Sequence, residues 1–226
     1  MGQLGKAMTT KSAISTISTI NSSVAEAQNW LITDDGECFA LDIDELELPE
    51  QPYRLYRFLT ELEDILNHVS DDCSRIWTIA PLVRKLLTSS YWLQMEFTHP
   101  HPDPGWSVRF LYQEHGYPLT VQMVAWLSSY TSPIHNHAAW GMIAVIGGQE
   151  KHRLWRRSPT PEQPDRIEYM GEKVFVPGDI VGFMPNAIHS VEPLGDEPAV
   201  TFNLYGVTDY SQRFEFDVHT QTAKKF

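Results

Sequence analysis

Cysteine is scarce in this sequence. Two thiols, Cys38 and Cys73, in 226 residues cannot build a disulfide framework; both read as ordinary thiols, and a reducing cytoplasm is the compartment that fits. Long apolar runs are missing too: none reaches the roughly 18–20 residues of a membrane span. Positive charge is in deficit, with 17 Lys and Arg against 29 Asp and Glu and a net charge of -12. That balance argues against nucleic acid, whose phosphates need a basic face, and against an anionic membrane surface. Arginine is absent before Arg54, unlike the Arg-rich composition of a transit peptide, and the hydroxyls of Ser15, Thr16, Ser18 and Thr19 break up any secretory core. Residues 1–25 therefore read as a flexible tail with a short helix near its end. Core material is plentiful, at 42% apolar and 12% aromatic residues, and the length suits one structural domain with that tail.

The charge is unevenly laid out. Residues 26–75 carry 14 acids and three bases, whereas residues 76–226 carry 15 acids and 12 bases. The acidity belongs to the first third of the chain. There, residues 52–69 show Tyr53, Tyr56, Leu59, Leu62, Ile65, Leu66 and Val69 at helical spacing, with Pro52 suited to a first turn. A second helical stretch runs from Asp71 and Asp72 to Thr88, and Pro81 is expected to split it in two. The run His99-Pro100-His101-Pro102-Asp103-Pro104-Gly105 breaks any element. After it, short Val-, Ile- and aromatic-rich stretches predict strands at 107–113, 119–127, 141–147, 150–157, 173–176, 180–184, 188–192, 199–206 and 213–218. The expectation is a mainly β fold, with a helical region over 26–105 packed on a β-barrel or jelly roll over 106–226.

Chemistry concentrates in the histidines. His135-Asn136-His137 puts two imidazoles on one side of a strand, where both can reach one ion. Nine histidines in 226 residues give about a third of such a pair by chance, so context matters. The pair follows one strand and precedes another ending in Gly147-Gly148. A later turn at Val176-Pro177-Gly178-Asp179 leads to Phe183-Met184-Pro185 and on to His189. The Pro-flanked His99-Pro100-His101 pair reads as a loop feature, and His68, His115, His152 and His219 are given no role. Lys151, Arg153, Arg156 and Arg157 read as a solvated face, or as one further substrate anchor.

This layout resembles the cupin superfamily, a double-stranded β-helix jelly roll whose two motifs meet at a metal. The cupin pattern has His-x-His, a following Glu, a later Gly, and a second motif of Gly…Pro…His. Here Gly141 stands at the Glu position and Gly148 at the later Gly, while Pro185 lies one residue nearer His189 than usual. Three histidines without a carboxylate resemble the thiol dioxygenases among cupins, such as cysteine dioxygenase and 3-mercaptopropionate dioxygenase. That resemblance implies Fe(2+) held by His135, His137 and His189, with a small thiol and O2 as reactants and a sulfinic acid as product. It places the substrate-carboxylate arginine at Arg109, 26 residues before His135. Thr201-Phe202-Asn203-Leu204-Tyr205 is similar to the family's Ser-x-His-x-Tyr strand, which gives Tyr205 a catalytic hydroxyl and makes Thr201 and Asn203 its supports. Asn203 in place of His departs from the family, and the cysteine that crosslinks to the tyrosine in animal enzymes is absent. Trp140, Met142, Phe183 and Met184 are candidates to keep the pocket apolar.

Three neutral imidazoles leave an ion its full charge and open positions, and an anionic thiolate then supplies the negative charge a carboxylate ligand would have given. Two other readings stay open: another metal-dependent cupin enzyme, a hydrolase or isomerase, and a non-enzymatic cupin that binds a small ligand. The sequence leaves the thiol and the oligomeric state undetermined.

Overall fold

The computed structural model describes residues 27–43, 51–95 and 99–226; the tail at 1–25 and its expected helix lie outside them. Two short strands come first, β1 (Asn29–Ile32) and β2 (Cys38–Ala40), then α1 (Leu55–His68), α2 (Asp72–Ser89) and α3 (Tyr91–Met95). Eleven strands follow: β3 (Trp106–Gln113), β4 (Thr120–Trp126), β5 (Ile134–Asn136), β6 (Gly141–Gly147), β7 (Gln149–Arg157), β8 (Ile167–Phe175), β9 (Ile180–Phe183), β10 (Ile188–Leu194), β11 (Ala199–Tyr205), β12 (Phe214–Asp217) and β13 (Thr222–Lys225). They form two sheets, one of seven strands in the order β2-β1-β9-β6-β11-β4-β3 and one of six in the order β13-β12-β5-β10-β7-β8. The β1–β9 pairing is parallel.

The period of two along each strand divides the seven-stranded sheet into two buried faces. Met142 and Ala144 of β6, with Phe202 and Leu204 of β11, pack against Phe58, Leu62, Ile76, Ile79 and Leu86 of the helices. The intervening Ile143 and Val145 face the other way and meet Leu154 and Phe175 of the six-stranded sheet. Cover on both sides explains why β6 and β11 read as nearly unbroken apolar runs. Phe58, Leu62, Ile76, Ile79 and Leu86 are each fully buried, and such side chains contribute about 1.5–3 kcal/mol apiece. The α2 backbone comes close to β9 because Gly182 has no side chain: a Cβ there would lie 2.3 Å from Ile76 Cγ2.

Several expectations are corrected. Pro81 does not divide the second helix, which runs unbroken through it. The carbonyl it deprives of a partner is that of Trp77, a residue 41% exposed and open to water, while Ile76, Ile79, Ala80 and Val83 bury the opposite face. The first helix begins at Leu55 rather than at 52, because Arg54 is already extended. The region read as helical also supplies β1 and β2, and β8 begins at Ile167 rather than 173. No helix among the described residues is long and apolar enough to cross a membrane.

Candidate metal centre

Strand β5 is three residues long, and its pairing creates the site. In its antiparallel register with β10, His135 stands directly opposite His189. His137 follows two residues after His135, and Ala138 then turns the chain with φ 51°. Asn136, facing the other way, holds the segment: its amide donates to Gln212 O (2.9 Å) and its carbonyl accepts from Phe214 N (2.8 Å). The ligand atoms of the three histidines all lie within 4.8 Å of one another, and His137 Nε2 is 3.1 Å from His189 Nε2.

These side chains fit a metal ion. Two imidazole nitrogens each roughly 2.0–2.1 Å from one ion stand about 3 Å apart in cis geometry, the separation found for His137 and His189. His135 Nδ1 lies 2.9 Å from the Pro133 carbonyl; a carbonyl only accepts, so Nδ1 carries the proton and Nε2 keeps its lone pair. Burial pushes His135 down to about 4 and holds His137 and His189 well below the usual histidine range. All three are neutral near pH 7, as metal ligands must be.

At Gly141, where the resemblance expected a carboxylate, there is no room for a side chain. A Cβ on Gly141 would lie 2.7 Å from Tyr205 Cδ1, so the tyrosine ring fills the space an acidic side chain would need. That ring stands edge-on to His137, centroids 4.9 Å apart. Its hydroxyl donates to Asn203 Oδ1 (2.8 Å), and Asn203 Nδ2 donates to Thr201 Oγ1 (2.8 Å). Thr201, Asn203 and Tyr205 thus share the inward face of β11 as one hydrogen-bonded row, with an amide where the resembling family has an imidazole. Burial raises the phenol's pKa, so Tyr205 stays protonated.

Arg109 is not brought to the site, which corrects the role expected of it. Its neighbours Val108 and Phe110 line the cavity, and strand alternation turns Arg109 to the other face, where it is exposed. The arginine that does line the cavity is Arg213, at the entry to β12. It is half-buried, its guanidinium lies over the Phe226 ring (4.2 Å), and its Nε is buried with no hydrogen-bond partner among the described residues. The sequence carried only a weak signal for it: Arg213 is the sole arginine after Arg166. His152, given no role from sequence, is fully buried and lies 3.1 Å from His189. Lys151, Arg153, Arg156 and Arg157 are spent on ion pairs with Glu192, Glu172, Glu168 and Asp165, which favours the solvated face over a second anchor. Of the four residues expected to keep the pocket apolar, Trp140 and Met142 pack toward the helices, whereas Phe183 meets the rings of His137 and His189.

The whole cavity measures about 490 Å³ and lies between the two sheets. The three histidines, Tyr205 and Arg213 line it, and Trp106, Trp126 and Tyr130 form an aromatic wall. Trp126 and Tyr130 stack at 5.2 Å.

No protein-family model matches the chain. Among solved structures it is similar to an oxalate oxidase in complex with the substrate analogue glycolate, at 13% identity over 47% of this chain and 53% of that one, TM-score 0.35. It is also similar to a cupin superfamily protein from Desulfitobacterium hafniense (8% identity, 52% of this chain and 90% of that one, TM-score 0.39) and to a cupin-like protein from Thermotoga maritima (16% identity, 58% and 87%, TM-score 0.38). The match spans about half the length of the oxalate oxidase. Likeness at this level says nothing of chemistry, which the site itself must carry.

Proposed function

We propose that this chain is a cupin-type, Fe(2+)-dependent thiol dioxygenase that converts a small thiol carboxylic acid and O2 into the sulfinic acid. The observation that carries the reading is the donor set: among the described residues three neutral histidines converge with no carboxylate in the ligand cluster, and the Tyr205 ring packs where a side chain on Gly141 would stand. Iron bound there would bring a thiolate and O2 into contact and take part in the electron transfer that oxygen activation needs. His135, His137 and His189 would hold the ion as neutral donors, leaving negative charge to be supplied by the substrate. Arg213, the arginine that lines the cavity, receives the substrate carboxylate through a charge-assisted pair. Tyr205 presents a protonated hydroxyl beside the ligands, held in direction by Asn203 and Thr201.

A second reading, a metal-dependent cupin enzyme of another reaction class, is favoured by the cavity. At about 490 Å³ it falls in the range of roughly 300–1,000 Å³ that accepts drug-sized ligands, more than cysteine fills. Oxygen uptake by the iron-loaded protein separates the two. Uptake with cysteine, 3-mercaptopropionate or a bulkier thiol acid, with the matching sulfinate formed, supports the dioxygenase. Iron bound in stoichiometric amount without uptake on any of them leaves the second reading standing and removes the first.

A further inference from the structure

We infer that Glu150 and His152 form an outer-sphere relay that fixes His189 as an Nε2 ligand and returns, two imidazoles away, the carboxylate that the centre lacks among its direct ligands. This rests on the reading of His189 as a metal ligand and adds positioning residues to it.

The relay begins with the alternation of β7. Lys151 and Arg153 point outward and pair with Glu192 at 3.0 and 2.6 Å. Glu150 and His152 therefore point inward, where they are 1% and 0% exposed. The His152 ring stacks on Phe183 (5.8 Å) and meets Phe175 edge-on (5.0 Å). A carboxylate at such depth is costly to bury unless a donor meets it. His152 Nε2 lies 3.1 Å from Glu150 Oε2, and Oε1 has no partner among the described residues. His152 is thus the hydrogen-bond partner this carboxylate has among the described residues.

Proton counting then leaves one arrangement. To hold an ion, His189 must present a bare Nε2, so its proton is on Nδ1. That atom is 3.1 Å from His152 Nδ1, and only one proton fits between them. His189 donates, His152 accepts, and the His152 proton sits on Nε2, where Glu150 accepts it. In the reverse arrangement His152 would donate from Nδ1, and the His189 proton would move to Nε2. There it would point at His137 Nε2, 3.1 Å away, and block the ion. The carboxylate at the far end selects the metal-ready tautomer, and donation toward an anion also makes His189 a stronger ligand. His135 Nδ1 meets the neutral Pro133 carbonyl instead, so an imidazole-bridged carboxylate is seen behind His189 and not behind His135.

The test uses the full chain loaded with zinc, which is diamagnetic and accepts three histidines. Long-range nitrogen–proton NMR of the imidazole rings should show His189 protonated at Nδ1 and His152 at Nε2. Competition with a chelator should show Glu150→Leu binding zinc about 10–100-fold more weakly than the unaltered protein. Glu150→Gln, which keeps an acceptor without the charge, should fall between the two and carries the test if the leucine variant does not fold. A His152 protonated at Nδ1 in the zinc form overturns the relay, as does unchanged zinc affinity in both variants despite a lowered Tm, which would make the pair merely structural. No zinc uptake by the unaltered protein removes the metal centre itself, and the relay with it.

Discussion

Arg213 and Arg109 make the sharpest contrast between single residues. Arg213→Gln should raise KM for a carboxylated thiol by roughly 10–100-fold, the worth of about 1.5–3 kcal/mol in a hydrogen bond to a charged group. Arg109→Gln should leave KM within about twofold, since Arg109 is exposed and off the cavity wall. Steady-state kinetics on both variants checks the pair of outcomes. Tyr205→Phe should lower kcat by about 10²-fold, on the scale of losing one aimed donor. It also strips Asn203 Oδ1, buried in a 4% exposed residue, of its donor. An unmet acceptor of that kind costs about 1–3 kcal/mol, readable in the denaturant midpoint. The grouping of His135, His137 and His189 was legible in a short motif and its later partner, whereas Tyr205 was pointed to by the resemblance of its strand. Arg213 was not legible, because it enters the cavity from a loop whose path only β12 and its neighbours define.

At the scale of elements, alternation decides which side chains reach the cavity. On β11 it sends Thr201, Asn203 and Tyr205 inward and Phe202 and Leu204 toward the helices. On β3 the same rule takes Arg109 away from the place a count of residues along the chain gave it. A spacing of 26 residues says how far along a chain a residue lies, and nothing of the face it presents. The helix-to-sheet contact offers a test of packing. Gly182→Ala puts a methyl 2.3 Å from Ile76 Cγ2, and overpacking of this kind costs about 1–3 kcal/mol. Chemical denaturation should show the lower midpoint with an unchanged slope. The Pro81 helix shows propensity giving way to burial: one lost hydrogen bond, facing water, is outweighed by the apolar face α2 lays on the sheet.

For the whole molecule, the histidine cluster ties stability to pH. Folding holds His135 at about 4, with His137 and His189 also lowered, against about 6.5 in the unfolded chain. Between those values the unfolded state binds more protons, so the metal-free protein loses stability as pH falls from about 6.5 towards 4. An ion bound to the neutral imidazoles raises Tm at pH 7, and that increment should shrink across the same window as protons compete. Thermal melts with and without zinc at pH 7 and pH 5 check this; an equal increment at both would exclude the histidines as the binding groups. The net charge of -12 does not stand in the way of an anionic substrate. Most of it lies in residues 26–75, whereas the cavity is lined by Arg213 and the three histidines together with two acids, Glu150 and Glu215.

By itself, the sequence determined that the chain is mainly β behind a helical region and that His135, His137 and His189 are candidates for one ion. Periodicity and short motifs are local properties, written in the order of the residues. Only the tertiary structure decided which arginine meets the cavity and that the Tyr205 ring leaves no room for a side chain at Gly141. It also decided that Glu150 and His152 stand behind His189. Each of these depends on which strand lies beside which: β7 beside β10, β11 beside β6, β12 beside β5. Strand pairing joins residues far apart in the chain, and no count along the chain contains it.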